Sequence, residues 1–184
     1  MNKNQIKDIL SLPIEEIISL ANDARIEGIG TNIELCGIIN AKSGVCSEDC
    51  KFCAQSGHYS TEIDVYSLRD KRTITDAARK SKSDGASRFG IVTSGNRLTE
   101  NDLNIVCEAI KEMVEEIGIL PCASLGALHE EDFIRLKDAG LTRYHHNIET
   151  SERFYPNIVS THAYFERVNT VRLAKKVGME VCSG

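Results

Sequence analysis

From residue 32 onward the sequence alternates between two kinds of segment, and this alternation limits the fold more than any other feature. Short apolar runs read as strands: NIELCGIIN (32–40), RFGIVTSG (88–95), ILPCASLG (119–126), TRYHHNIET (142–150) and MEVCSG (179–184). Between them, TITDAARKSKSDG (73–85), LTENDLNIVCEAIKEMVEEIG (98–118), HEEDFIRLKDAG (129–140) and THAYFERVNTVRLAKKVG (161–178) read as helices, the second capped by Thr99. Four βα units and a fifth strand predict an α/β fold of parallel strands joined by right-handed crossovers. An open doubly wound sheet would want a glycine-rich phosphate turn after its first strand. That turn carries cysteines here, so the expectation is an incomplete (β/α)8 TIM-type barrel over 31–184. An N-terminal helical extension over 1–30 precedes it, with PIEEIISLANDARIEG (13–28) as its amphipathic helix. A barrel halted at a fifth strand leaves apolar edges unpaired, so the sequence reads as part of a longer protein.

The cysteine-bearing turn is CSEDCKFCAQS, residues 46–56, with Cys46, Cys50 and Cys53 spaced C-x3-C-x2-C. The chain has 184 residues and seven cysteines, an odd number that does not close a disulfide framework. No secretory signal and no membrane-length apolar run is legible, which points to a soluble cytoplasmic protein whose clustered thiols serve metal or catalysis. With 22 basic and 27 acidic residues, no strong attraction to nucleic acid is expected. A closed structural zinc site takes four protein ligands, whereas this loop offers three thiols. Three thiolates on a [4Fe–4S] cluster would leave one iron free to bind a small molecule. The alternative is a zinc site completed by His58.

C-x3-C-x-aromatic-C on the loop after the first strand resembles the radical S-adenosylmethionine (SAM) enzymes. Together, KSGVCSEDCKFCAQS, CASLG, YHHNIETS and EVCSG resemble the biotin synthase family within them, in order and spacing, over about residues 10–184. This resemblance makes 31–184 a radical SAM barrel domain and implies that Cys46, Cys50 and Cys53 hold a [4Fe–4S] cluster whose open iron chelates SAM. It further implies reductive cleavage to a 5′-deoxyadenosyl radical, hydrogen abstraction from dethiobiotin and sulfur insertion from a second iron–sulfur cluster. Phe52 would lie against the adenosyl group, and Asn147 and Glu149 would contact ribose hydroxyls and substrate from one face of strand 4. Glu149 stands where close relatives often have aspartate, and His145 where they have asparagine. Alternation places His145 with Asn147 and turns His146 to the other face. Arg88 would lie near the second cluster and substrate. Relatives are commonly dimers and use an electron donor such as flavodoxin or ferredoxin.

The resemblance breaks at the second cluster. Cys122 on strand 3 and Cys182 on strand 5 match expected ligands, but strand 2 has Gly90 where the family usually has cysteine. Cys36 on strand 1 is a candidate replacement, since odd-numbered strands of a barrel share interior layers. The cluster would then be [2Fe–2S] or a variant of it. The plainer reading of Cys36 is a small buried apolar residue. Cys107, inside the helix NDLNIVCEAIKEM, reads as packing. Two other functions stay open: radical SAM chemistry on another small substrate, and a non-catalytic iron–sulfur or zinc-binding protein.

Overall fold

The structure, a computed structural model, describes residues 2–184. The chain separates into two compact units, one running to Glu34 and the other spanning Leu35–Gly184. The first unit holds α1 (Lys3–Leu10) and α2 (Ile14–Ile29). Only the second of these was expected from sequence, and Pro13 stands at its N-cap. The unexpected α1 has its own start signal. The Asn2 side chain accepts from the Asn4 and Gln5 amides, and Gln5 reaches back to the Asn2 amide. Neither helix buries a residue.

The second unit contains β1 (Cys36–Lys42), α3 (Lys71–Ser83), β2 (Arg88–Thr93), α4 (Glu100–Glu112), β3 (Leu120–Ser124), α5 (Glu130–Asp138), β4 (Arg143–His145), α6 (Tyr164–Lys176) and β5 (Glu180–Cys182). A π-helical turn, Met113–Ile117, continues α4. The helix starts follow local chemistry: Asp70 accepts from the Thr73 amide at 2.8 Å, and Thr99 from the Asp102 amide at 3.1 Å.

All four strand pairings are parallel, and the sheet order is β1-β2-β3-β4-β5. A doubly wound sheet reverses direction at a switch point, whereas a barrel wall adds each strand beside the last. The sequential order is that of a barrel wall, here an open arc of five strands.

Register sorts the side chains into two faces. Phe89 and Ile91 of β2, Ala123 of β3 and Tyr144 of β4 join a buried core with Ile74 and Ala78 of α3, Val106 and Ile110 of α4, and Phe133 and Leu136 of α5. The Phe133 and Tyr144 rings meet edge to face at 4.8 Å. Cys107 packs against this core from α4, as its sequence context implied. On the opposite, inner face the register aligns Ile38 with Gly90, Gly90 with Cys122, Cys122 with Arg143, and His145 with Cys182. The residues that carry chemistry therefore lie where a barrel keeps its interior.

Candidate functional site

A cavity of about 400 Å3 opens at the C-terminal ends of the strands. Small-molecule sites commonly occupy about 300–1,000 Å3 and favour this face of a barrel. Cys46, Cys50, Phe52 and Cys53 line it from the loop after β1, Thr93 to Asn96 from the end of β2, and His145, His146, Asn147 and Glu149 from the end of β4. Gly126 closes the rim between β2 and β3. A Cβ there would stand 2.3 Å from the Asn96 carbonyl oxygen, and its φ of +86° already favours glycine.

The cysteine loop is organised by its own backbone. The Cys46 amide donates to the Gln55 carbonyl at 3.0 Å, and the Gly57 amide to the Cys46 carbonyl at 2.8 Å. The Gln55 side chain accepts from the Gly44 amide and the Ser43 hydroxyl at 2.5 and 3.1 Å. Ser56 donates to the Glu48 carbonyl at 2.6 Å. Together these bonds close a compact loop that presents its thiols to the cavity. Cys50 is buried, and Cys46 and Cys53 are half-buried. Burial pushes the Cys50 thiol up, with the Arg167 guanidinium opposing it. Phe52 stays 51% exposed beside them, an apolar surface at the mouth of a polar site.

Three loop thiols and a polar wall make up the donor set of the cavity. The His58 ring Nε2 is 2.9 Å from the Ser47 carbonyl. Among the described residues, no three His, Cys, Asp or Glu side chains are grouped to hold one metal ion. The cavity wall also carries two buried polar atoms without a partner among the described residues, Thr93 Oγ1 and His146 Nε2. Buried polar atoms of this kind are ordinarily satisfied, so the wall fits a bound polar molecule. Burial and nearby cations lower the His146 pKa to about 4, which leaves a neutral imidazole.

Strand 4 is shorter than its sequence implied. The strand expected over 142–150 ends at His145, and Glu149 takes a φ of +72°. Backbone bonding to the β5 segment runs on through the His146 and Ile148 amides, which donate to the Cys182 and Gly184 carbonyls at 3.1 and 2.8 Å, and the extended path breaks at Glu149. Asn147 and Glu149 thus reach the cavity from a loop, and His146, expected on the opposite face, lines the same cavity. The Asn147 side chain accepts from the Gly184 amide at 3.1 Å.

Sequence reasoning did not single out Arg167, which ties these parts together from α6. Its Nε donates to the Tyr155 hydroxyl at 2.7 Å and its Nη1 to the Asn147 carbonyl at 2.9 Å, and Glu149 lies 3.6 Å away. No motif marks this arginine, and α6, with little separation of polar and apolar faces, gives it no sequence signal. Glu48 and His162, paired at 2.7 Å, also line the cavity and were also missed.

Of the three strand cysteines only Cys122 is buried; Cys36 is exposed, not the small buried apolar residue that its plainer reading expected, because the β1 edge of the inner face is open. Cys36 lines the same cavity with Ile38 and Gly90. Cys122 is fully buried, and Cys182 is exposed. Burial raises the Cys122 thiol pKa, the Arg88 guanidinium opposes this, and Cys36 lies close enough to add to it. Arg88 is buried rather than surface-facing, donates to the Thr142 hydroxyl at 3.1 Å and pairs with Glu180 at 3.3 Å. A Cβ on Gly90 would meet only Ile38 Cγ1, at 3.3 Å, and the Gly37 carbonyl oxygen, at 3.7 Å.

Residues 41–184 match the model of the radical SAM superfamily. The chain belongs to the radical SAM superfamily. Among radical SAM proteins it is similar to the biotin synthase of Clostridium botulinum (strain Alaska E43 / Type E3), at 44% identity over 93% of this chain and 54% of that protein. It is also similar to the biotin synthase of Thermotoga petrophila, at 46% identity over 98% of this chain and 59% of that protein. The chain thus spans between half and three-fifths of the length of these relatives. In fold it matches the crystal structure of methylornithine synthase (PylB) with a TM-score of 0.84 at 23% identity, over all of this chain and 55% of that one. That likeness carries the barrel-type fold and nothing finer. Among the described residues no helix is long and apolar enough to cross a membrane.

Proposed function

We propose that this chain is part of a biotin synthase, acting on SAM and dethiobiotin. The observation that carries the reading is the convergence of the three loop thiols with Phe52, Asn147 and Glu149 on one cavity, in a chain of high identity to biotin synthases along most of its length. A [4Fe–4S] cluster bound by Cys46, Cys50 and Cys53 would supply the electron, and the open iron, for cleaving the sulfonium bond of SAM.

The chain's own residues do the positioning. Phe52 offers an apolar face to the adenine. Asn147 and Glu149 offer an amide and a carboxylate to ribose hydroxyls. The Arg167 guanidinium, beside Cys50 and Glu149, suits the methionine carboxylate of SAM. The inner face of the sheet would hold the second, sulfur-donating cluster on Cys122 and Cys182, with Cys36 in place of the thiol missing at Gly90. Arg88 would stand beside it as counter-charge. An electron donor such as flavodoxin or ferredoxin, a homodimeric state and a cytoplasmic location belong to the same reading.

The test uses the full-length protein, reconstituted without oxygen and supplied with reductant, SAM and dethiobiotin. Biotin with substrate-dependent 5′-deoxyadenosine is expected. Deoxyadenosine without biotin would move the radical chemistry to another small substrate. No deoxyadenosine from a protein with an intact cluster would remove the enzyme reading.

A further inference from the structure

The cysteine loop is fastened from outside by a segment 111 residues further along the chain. Asp49, between Cys46 and Cys50, is the centre of the contact. Its Oδ1 accepts from the Ser160 amide at 2.8 Å, the Thr161 amide at 3.2 Å and the Thr161 hydroxyl at 3.1 Å, and its Oδ2 accepts from the Ser160 hydroxyl. The Asp49 amide donates to Thr161 Oγ1 at 3.2 Å, which makes the contact reciprocal. On the two sides of Asp49, Glu48 pairs with His162 at 2.7 Å, and the Lys51 amide donates to the Ile158 carbonyl at 3.0 Å. Three loop residues, Glu48, Asp49 and Lys51, thus all engage one short segment, 158–162.

We propose that Asp49 is a latch: a positioning residue that fastens the cysteine loop to the segment leading into α6, so that the loop thiols and Arg167 share one geometry. Asp49 itself does not line the cavity, so its carboxylate acts through what it holds. A carboxylate is suited to the task, because two oxygens can accept four donors at once, whereas an amide offers one acceptor oxygen. The segment it holds runs directly into α6, whose second turn carries Arg167. Arg167 in turn reaches Tyr155, Asn147 and Glu149. The side of the cavity that would hold the cluster and the side that would bind the cosubstrate are thereby joined through one carboxylate.

The inference rests on radical SAM membership and not on dethiobiotin as substrate, so a failure to form biotin leaves it standing. The experiment compares full-length wild type with Asp49→Asn, and separately with the double variant Ser160→Ala/Thr161→Val, which removes hydroxyl donors from the other side. The first readout is amide hydrogen exchange of cluster-free protein. Residues 46–59 and 155–167 are expected to exchange about tenfold faster in both variants, while the β2–β3 core keeps its protection. The second readout is SAM titration of the reconstituted cluster, followed by its electron paramagnetic resonance signal in samples matched for iron. An affinity loss of about 10- to 100-fold is expected, the usual range for a partner that orients a metal ligand. Wild-type exchange in both segments would overturn the latch. So would faster exchange with unchanged SAM affinity at matched iron, since the contact would then serve loop stability alone. If Asp49→Asn loosens the core as well, the double variant decides by the same two criteria.

Discussion

The two sets of cysteines in this molecule are built in different ways. Cys46, Cys50 and Cys53 sit within eight residues, on a loop closed by its own backbone bonds and by the Ser160–Thr161 contact. Cys36, Cys122 and Cys182 come from β1, β3 and β5, and only the sheet brings them to one face. The first set depends on local geometry, and the second on the register of strands far apart in sequence. A local site tolerates little change in its own few residues. A register-built site would tolerate substitutions that keep the face, and the proposed use of Cys36 on β1 in place of a thiol on β2 would be one of them.

The largest expected effect tests the local set. Replacing Cys50, the most buried of the three, with serine should remove the cluster and bring deoxyadenosine formation to background. Iron content and product are measured together. A Cys50→Ser protein that still makes deoxyadenosine would show that the loop is not the cluster site, and the contrast between the two sets would lose its basis.

The next effect tests the register-built set. Cys36→Ser should lower iron and sulfide and abolish biotin formation, while SAM cleavage to deoxyadenosine persists. Unchanged content and activity would remove Cys36 from the ligand set. Gly90→Cys sharpens the same point. The Cβ would press only on Ile38, which is 69% exposed and can give way, so the variant should fold normally. It would offer the cavity a thiol on β2. If it restores biotin formation to Cys36→Ser, the two strands supply interchangeable ligands.

A smaller effect tests the link between cysteine loop and cosubstrate side. Arg167→Ala should raise the KM for SAM about 10- to 100-fold, as expected for losing a hydrogen bond to a charged group worth about 1.5–3 kcal/mol. Arg167→Lys should recover part of this, because a lysine keeps the charge but not the planar fork that spans Tyr155 and Asn147. A change in kcat alone would place Arg167 away from the carboxylate.

The same division explains what the sequence made legible. The βα alternation gave the order of strands and helices in the barrel wall and placed all but β4 within a few residues, because hydrophobic period and glycine punctuation are local signals. The cysteine spacing was legible for the same reason. The end of β4 was not, because nothing in YHHNIET marks the turn to positive φ at Glu149. Neither Arg167 nor the pair of Glu48 with His162 was legible, since each gains its meaning from a partner distant in sequence. Cys36 is intermediate: its strand was readable, but its approach to Cys122 depends on three strands in register.

The smallest effect is a pH dependence that separates His146 from its neighbours. Its pKa in the fold is about 4, below the ordinary value of 6.5, chiefly because burial disfavours the charged ring. The unfolded chain therefore binds more protons between these two values, and stability must fall as the solution is acidified through that window. Above pH 6.5 the His146 contribution is complete and flat. Across the window the slope attributable to this one residue approaches about 1.4 kcal/mol per pH unit. Denaturant titrations of the full-length protein and of His146→Gln at a series of pH values isolate it, because other acid-sensitive groups are common to both. The variant should show a shallower loss of stability between pH 6.5 and 4. If the two proteins lose stability in parallel, His146 is not a neutral buried ring, and the polar wall of the cavity must be charged differently from the account given for it.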